Sequence, residues 1–374
     1  MSYLVNGQIE ISIFIADKEY PLGALNLLNW LHIATTVRQA LPVCGFQITD
    51  VQHVFDKIGI LDGTPLRIVV KPNGKDSRTY LFRKFNHKRV FSGEAYTWSI
   101  YGYWDAPLYW LASSVRTIEG TASNVLQEIA STCGLKYDGT TTNDSQIWVP
   151  RNRLYRAWAK DVADHSWIND TSCMILCVDL DGTLRLKDVN NLPEPKQKII
   201  GYTYAEDAMT ASDIQLSASS GLNNALSGYQ NMRVSQSVTV NDIWTANKNL
   251  SFTPDVKTPH YNDTLKQTLG RGAVRFGPID AGNVHLNYEK AAYQNLRYRN
   301  LFSLGLEALM VDTTAVQLCE RLSLSLQTEA TSQDTPNSGT YTVTGRAIYV
   351  QGANYSEKLG LCRHGTNETV IGAQ

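Results

Sequence analysis

The sequence predicts a β-rich α+β chain in which two β regions flank a unit of two helices and a β-hairpin. Three observations carry this prediction. Residues 1–107 hold short alternating runs between turn signals, residues 108–200 turn to four-residue periodicity with helix caps, and alternation returns in "LCERLSLSLQ" and "SGTYTVTGRAIYV". At 374 residues the chain exceeds the ~250–300 at which one core stops growing, so two or more domains are expected.

The first region, 1–107, opens with Ile9, Ile11 and Ile13 alternating with polar neighbours. It continues through "PVCGFQITD", "TPLRIVVKP", "RTYLFRKF" and "AYTWSIYGYW", punctuated by "LDGT", "PNGKD" and "FSGE". Short strands at this spacing suit a small barrel or a sandwich. Leu25 to Leu41, "LNLLNWLHIATTVRQAL", breaks the pattern and reads as a helix or as an excursion from the sheet.

After Pro107 the texture changes. "GTASNVLQEIASTCGLK" predicts a helix capped by Thr121, with Val125, Leu126, Ile129 and Cys133 on one face and Gly134 just past its end. "RNRLYRAWAKDVADHSWI" predicts a second, with Leu154, Trp158 and Val162 four apart. The hairpin "SCMILCVDLDGTLRLK" follows, and "NNLPEPKQK" marks a connection near residue 200. Beyond it the chain is polar and small until "MRVSQSVTV"; residues 241–285 are irregular, and "NYEKAAYQNLRYRNLFSL" predicts a helix. Residues 240–305 therefore read as an insertion between two halves of a second β domain.

Composition narrows the function. Charged residues make up 18%, below the ~25% of ordinary soluble domains, and Tyr (19) and Trp (8) are abundant. Such a surface suits coverage by partners. A formal charge of −1 argues against a large field gripping nucleic acid or an anionic membrane. "FRKFNHKR" (Phe82 to Arg89) is the one local basic and aromatic alternation, and on a strand it reads first as a solvated face. No run of ~18 apolar residues and no signal-like N-terminus is present, so no membrane insertion is expected. Cys44, Cys133, Cys173, Cys177, Cys319 and Cys362 lack metal-ligand spacing and read as buried free thiols.

One motif poses a chemical alternative. Asp179-x-Asp181-Gly182-Thr183 after an apolar run is how phosphatases of the haloacid dehalogenase family present a nucleophilic aspartate and its acid/base partner. That chemistry also needs a late acidic pair for Mg²⁺, yet no adjacent Asp-Asp occurs, and "TLRLKD" continues as a strand instead of leading to a helix. A two-residue turn would set Val178 against Arg185. A three-residue loop, Leu180 to Gly182, pairs Val178 with Leu184 and Leu176 with Leu186 and puts Gly182 where positive φ is needed. "LDGT" also stands at Leu61 to Thr64, again before an alternating strand, which marks it as turn vocabulary. "GRGAVRFG" (Gly270 to Gly277) lacks phosphate-loop spacing, and Asp161 and His165 lack a third ligand. No catalytic, cofactor-binding or metal-binding residue is assigned, and no cofactor is expected.

The order "ITDVQHVFDKIGILDGTPLRIVV", "YTWSIYGYWDAPLYWLASSVRTIEGTASNVLQEIASTCGLKY", "IWVPRNRLYRAWAKDVADHSWI" and "CMILCVDLDGTLRLKD" resembles the baseplate hub proteins of contractile-tailed phages. It is similar, more distantly, to the hub part of type VI secretion spike proteins. The likeness covers Ile48 to Asp188 and extends to the C-terminal "SGTYTVTGRAIYVQGANYSEKLGLCRHG". It implies two tube-type β-barrel domains, 1–107 and 201–239 with 306–374, around the mixed domain 108–200 and the inserted region 240–305. It further implies a non-enzymatic homotrimer whose six barrels form a pseudo-hexameric ring between tail tube and central spike. Baseplate wedge and tape measure proteins would be its other partners, with DNA passing transiently through the lumen. The place would be the virion baseplate, assembled in the host cytoplasm. The alternatives are the phosphatase using Asp179 and Asp181, and a carbohydrate-binding tail module suggested by the aromatic content.

Overall fold

A computed structural model describes residues 3–5, 9–23, 26–72, 76–169, 172–195, 198–202, 214–216, 236–242, 246–252, 275–276, 304–310, 316–329, 332–352 and 354–363. It is β-rich with few helices. The chain divides into two compact units: Met1–Pro107, Cys177–Thr183 and Gly345–Lys358 form the first, and Leu108–Leu176, Leu184–Thr344 and Leu359–Gln374 the second.

The first unit opens with Tyr3–Val5 (β1), Ile9–Ile15 (β2), Lys18–Glu19 (β3), Asn26–Thr36 (β4) and Val43–Asp50 (β5). After the short helix Val54–Ile58 (α1) come Pro65–Pro72 (β6), Arg78–Ser92 (β7) and Ala95–Trp104 (β8). Their order in the sheet is β1-β2-β6-β7-β8-β5-β4, with every pair antiparallel. The alternation read from sequence is the alternation of burial. Ile9, Ile11, Ile13 and Ile15 are buried, as are Leu66, Ile68 and Val70 on the neighbouring strand and Phe82, Phe46 and Ile48 further along the sheet, while Glu10, Ser12 and Phe14 are half-exposed.

The Leu25 to Leu41 stretch is neither helix nor excursion. From Asn26 it is a strand between β5 and the C-terminal part of the chain. A register shift between Leu28 and Trp30 places a bulge at Asn29. Leu28 and Leu31 are therefore both buried although three apart, which breaks the period of two and imitates helical spacing. The Asn29 side chain donates to Gln47 Oε1 at 3.2 Å and to Thr49 Oγ1 at 3.0 Å, so the inserted residue is held by its neighbours across the ladder.

The second unit begins with helix Pro107–Leu111 (α2), strand Ile118–Gly120 (β9) and helix Ala122–Thr132 (α3), followed by Lys136–Gly139 (β10) and Gln146–Trp148 (β11). Thr121 caps α3 by accepting from the Asn124 N–H, Gly134 sits at φ +72°, and Val125, Leu126, Ile129 and Cys133 are buried, as the periodicity predicts. Burial raises the Cys133 thiol to about 12. The buried Asp144 carboxylate holds the N-terminal end of α3 in place, accepting from the N–H groups of Ala122 (2.9 Å) and Trp167 (2.8 Å). Helix Tyr155–Asp164 (α4) buries Trp158 and Val162 as expected, whereas Leu154, read as part of the same face, is its half-buried N-cap residue just outside the helix.

Met174–Val178 (β12) and Thr183–Asp188 (β13) then form the hairpin, beside β10. The remaining strands are Lys198–Tyr202 (β14), Ile214–Leu216 (β15), Gln236–Asp242 (β16), Ala246–Phe252 (β17), Arg275–Phe276 (β18), Leu304–Met310 (β19), Arg321–Glu329 (β20), Ser332–Gln351 (β21) and Asn354–Arg363 (β22). Six of them, β21-β20-β14-β15-β19-β22, form a closed circuit because β22 pairs back onto β21. Strands β16, β17 and β18 make a separate three-stranded sheet. The helix expected over "NYEKAAYQNLRYRNLFSL" lies outside the described residues except for its last residue, Leu304, which begins β19. Of "GRGAVRFG", Arg275 and Phe276 form β18 and the rest lies outside the described residues. All six cysteines are free, five of them buried and Cys362 half-buried. No helix among the described residues is long and apolar enough to cross a membrane.

Candidate functional site

The aspartate at the end of β12 is the natural place to look for chemistry. Asp179 is fully buried. Its backbone N–H donates to Thr183 O at 3.0 Å, and Gly182 N–H donates to Asp179 O at 3.0 Å. These bonds close a three-residue loop, Leu180-Asp181-Gly182, with Gly182 at φ +74°. The Val189 N–H donates to Cys173 O at 2.9 Å, continuing the same register to the far end of the hairpin. A Cβ on Gly182 would stand 2.7 Å from the Trp104 ring, so close packing demands glycine as much as the backbone angle does.

The carboxylates in this turn are occupied by structural bonds. Asp179 Oδ1 accepts from Leu180 N–H at 2.7 Å and from Arg346 Nη1 at 2.9 Å, and Arg346 is itself buried. Asp181 Oδ1 accepts from Thr183 N–H at 3.0 Å, a local Asx bond. A nucleophile must present a lone pair to a substrate. Here the first carboxylate is buried against a guanidinium and the second serves the turn. Among the described residues, no three His, Cys, Asp or Glu side chains are grouped to hold a metal ion.

A second buried ionic group in the first unit was not visible in the sequence. Arg78 Nη2 lies 2.5 Å from Glu357 Oε1 and 3.1 Å from Tyr355 Oη, and Tyr355 donates to Glu357 Oε1 at 2.5 Å. Glu357 is fully buried. Burial first, then the Glu357 charge, drives the Tyr355 hydroxyl above its ordinary range. Burial disfavours the charge on Arg78, but the hydrogen bond and charge of Glu357 reverse this and hold the guanidinium firmly protonated. Residues 279 apart cannot be paired by reading one chain; the only hint was a glutamate in an alternating strand at a buried phase.

The remaining sequence candidates separate. Asp161 is paired with Arg153 at 2.9 Å, and His165 Nδ1 lies 2.7 Å from the Asp161 carbonyl oxygen at the end of α4, so the pair closes a helix instead of ligating a metal. "FRKFNHKR" falls on β7. Its Arg83 is paired with Asp105 (2.5 Å), Lys84 with Asp62 (2.6 Å) and Arg89 with Asp56 (2.9 Å), which leaves little net field for phosphate. Trp98, Trp104, Trp148 and Trp158 are buried, so half of the tryptophans are core residues and not an exposed sugar platform. Large apolar side chains are nevertheless exposed on β7, where Leu81, Phe85, Val90 and Phe91 face solvent, and along Leu108, Leu111, Val115, Ile147 and Val149 in the second unit.

No family model matches the chain, and no curated protein matches it. Solved structures do. The tail protein from Neisseria meningitidis MC58 superposes with a TM-score of 0.61 at 12% identity, over 95% of this chain and 97% of that one. The 43 kDa tail protein of prophage MuSo2 from Shewanella oneidensis gives 0.60 at 11%, over 95% and 98%. The E. coli c3393 protein gives 0.50 at 7%, over 94% and 76%; it is described as a component of the type VI secretion system with structural similarity to T4 bacteriophage tail proteins gp27 and gp5. At such identities the likeness is one of fold. The chain has the fold of phage tail proteins, shared with a type VI secretion component.

Proposed function

We propose that this chain is a structural tail protein, a hub whose copies form a ring between a tail tube and a central spike. The observation that carries the reading is the end-to-end match to two tail proteins, which takes in 95% of this chain and nearly all of theirs. The carboxylates of the phosphatase-like motif are spent on a turn and an ion pair, which removes the main support for a catalytic reading.

In this reading the β regions, 1–107 and 201–239 with 306–374, act as two tube-type barrels around the mixed domain 108–200 and the insertion 240–305. The sheet of the first unit and the closed six-strand circuit that includes β21 and β22 support it. Three chains with two such domains each offer six similar surfaces, which lets a threefold spike meet a sixfold tube. A near-neutral chain suits a conduit that DNA passes through, since strong phosphate contacts would oppose transit. Tail tube, spike, wedge and tape measure proteins are the partners this role requires, and the virion tail is its place. The test is the native mass of the purified chain in complex with its spike. Three copies are expected; a complex with one or two copies overturns the ring.

A further inference from the structure

Strand β7 is 15 residues long, yet its neighbour on one side covers only part of it. Strand β6 pairs with Arg78 to Arg83, and the Gly63–Thr64 turn takes over at Lys84, where Gly63 N–H donates to Lys84 O (2.8 Å) and Lys84 N–H to Thr64 O (3.0 Å). A register shift between Lys84 and Asn86 follows. From Asn86 to Ser92 the strand pairs with β8 alone, and its other edge has no partner strand among the described residues.

The direction of the backbone groups on this edge follows from the register. Trp104 N–H donates to Pro42 O (2.8 Å) and Asp105 N–H to Leu81 O (3.0 Å), so the odd residues of β8 turn their N–H and C=O toward β7 and the even ones toward β5. Asn86, Lys88, Val90 and Ser92 stand opposite Tyr101, Ser99, Thr97 and Ala95 and use their backbone groups on β8. His87, Arg89 and Phe91 therefore aim theirs outward. The His87 N–H agrees, since it is met by the Asn86 side chain at 2.8 Å and not by the ladder.

We propose that this edge receives an extended segment of a partner protein, added as one more strand, in which acidic side chains alternate with apolar ones. The chemistry of the edge selects that occupant. Strand β7 holds no acidic residue, and although its Arg78, Arg83, Lys84 and Arg89 are already paired with Glu357, Asp105, Asp62 and Asp56, the exposed Lys88 is left to meet an incoming carboxylate. Arg89 is fixed at 2.9 Å from Asp56 and lies over the Tyr96 and Trp98 rings at 4.7 and 5.4 Å, so this face of the outer strand presents an ordered aromatic rim on which apolar side chains can pack. Phe91 is exposed beside Tyr96, with ring centroids 5.0 Å apart, and Phe85 and Val90 are exposed as well. A second copy paired antiparallel on the same edge would, in its two central registers, oppose Arg89 to Arg89 or Lys88 to Lys88, which is destabilising for directly opposed residues. An added strand gains affinity from main-chain bonds and selectivity from alternate side chains. This inference does not rest on the ring.

The test uses the full chain and a short capped peptide alternating valine with glutamate, with a valine–lysine peptide as control. Binding of the glutamate peptide, roughly fivefold tighter than the control at low salt, is expected, that factor corresponding to about 1 kcal/mol of ion pairing. Amide hydrogen exchange at Arg89 and Phe91 should slow on binding while exchange at Lys88 and Val90, already in the ladder, stays unchanged. Phe91→Pro removes an outward N–H and should weaken binding on the order of tenfold, whereas Phe91→Ala keeps that N–H and should retain most of it. No binding of the glutamate peptide, binding that leaves the Arg89 and Phe91 amides exposed, or protection of those amides by self-association without peptide overturns the proposal.

Discussion

The tetrapeptide Leu-Asp-Gly-Thr occurs twice, and the two copies make an internal control. At Leu61 to Thr64 and at Leu180 to Thr183 the glycine has positive φ, +83° at Gly63 and +74° at Gly182, and each turn leads into a strand. There the likeness ends. In the first turn Asp62 is 77% exposed and reaches Lys84, and nothing stands within 4 Å of a Cβ built on Gly63. In the second the residue just before the turn is Asp179, buried on Arg346, and Gly182 is packed against Trp104. The four residues encode a chain reversal. What surrounds each copy decides whether its carboxylates matter to stability, and neither copy is thereby a catalytic signature.

The strongest way to break the comparison is at the residue that only one turn possesses. Asp179→Ala leaves the Arg346 guanidinium buried without its carboxylate and should cost about 3–5 kcal/mol in chemical denaturation. If the pair acts as a buried ion pair and nothing more, Asp179→Leu combined with Arg346→Leu should recover most of that loss, because two apolar side chains need no desolvation. A double variant as unstable as the single one would show that other polar groups depend on the pair.

The glycines give the next largest contrast. Gly182→Ala combines left-handed strain with a collision with the Trp104 ring and should cost about 2–4 kcal/mol. Gly63→Ala meets open space and should cost only about 1–2 kcal/mol, the strain alone. Equal losses in thermal or urea unfolding would mean that the Trp104 ring moves aside freely.

The same contrast explains how much could be read from the sequence. The hairpin register, the Thr121 cap, the buried face of α3 and the strands flanking the turns were legible because each follows from local period, cap chemistry or glycine conformation. Strand β4 was not, because the bulge at Asn29 put Leu28 and Leu31 at a helical interval. The motif at Asp179 could be discounted from its context, but its true partner could not be named, since Arg346 lies 167 residues away. The Arg78–Glu357 pair and the open edge of β7 are likewise products of strand order, and strand order is set by contacts that no single window of sequence contains.

The smallest expected effect lies at the exposed turn and has a definite sign. The hydrogen bond from Lys84, and then its charge, hold the Asp62 carboxyl below its ordinary range. A carboxylate lowered in the folded state contributes above its unfolded pKa of about 4 and loses that contribution as pH falls through the lowered folded value. Acid titration followed by NMR should therefore place Asp62 below a free aspartate, and Lys84→Met should return it toward the free value. Because Asp62 is open to solvent and salt screens such pairs, added salt should produce part of the same return without any mutation. An Asp62 titration indifferent to both Lys84→Met and salt would mean that the lysine only passes near the turn, and the two copies would then differ solely in what Arg346 and Trp104 bring to the second.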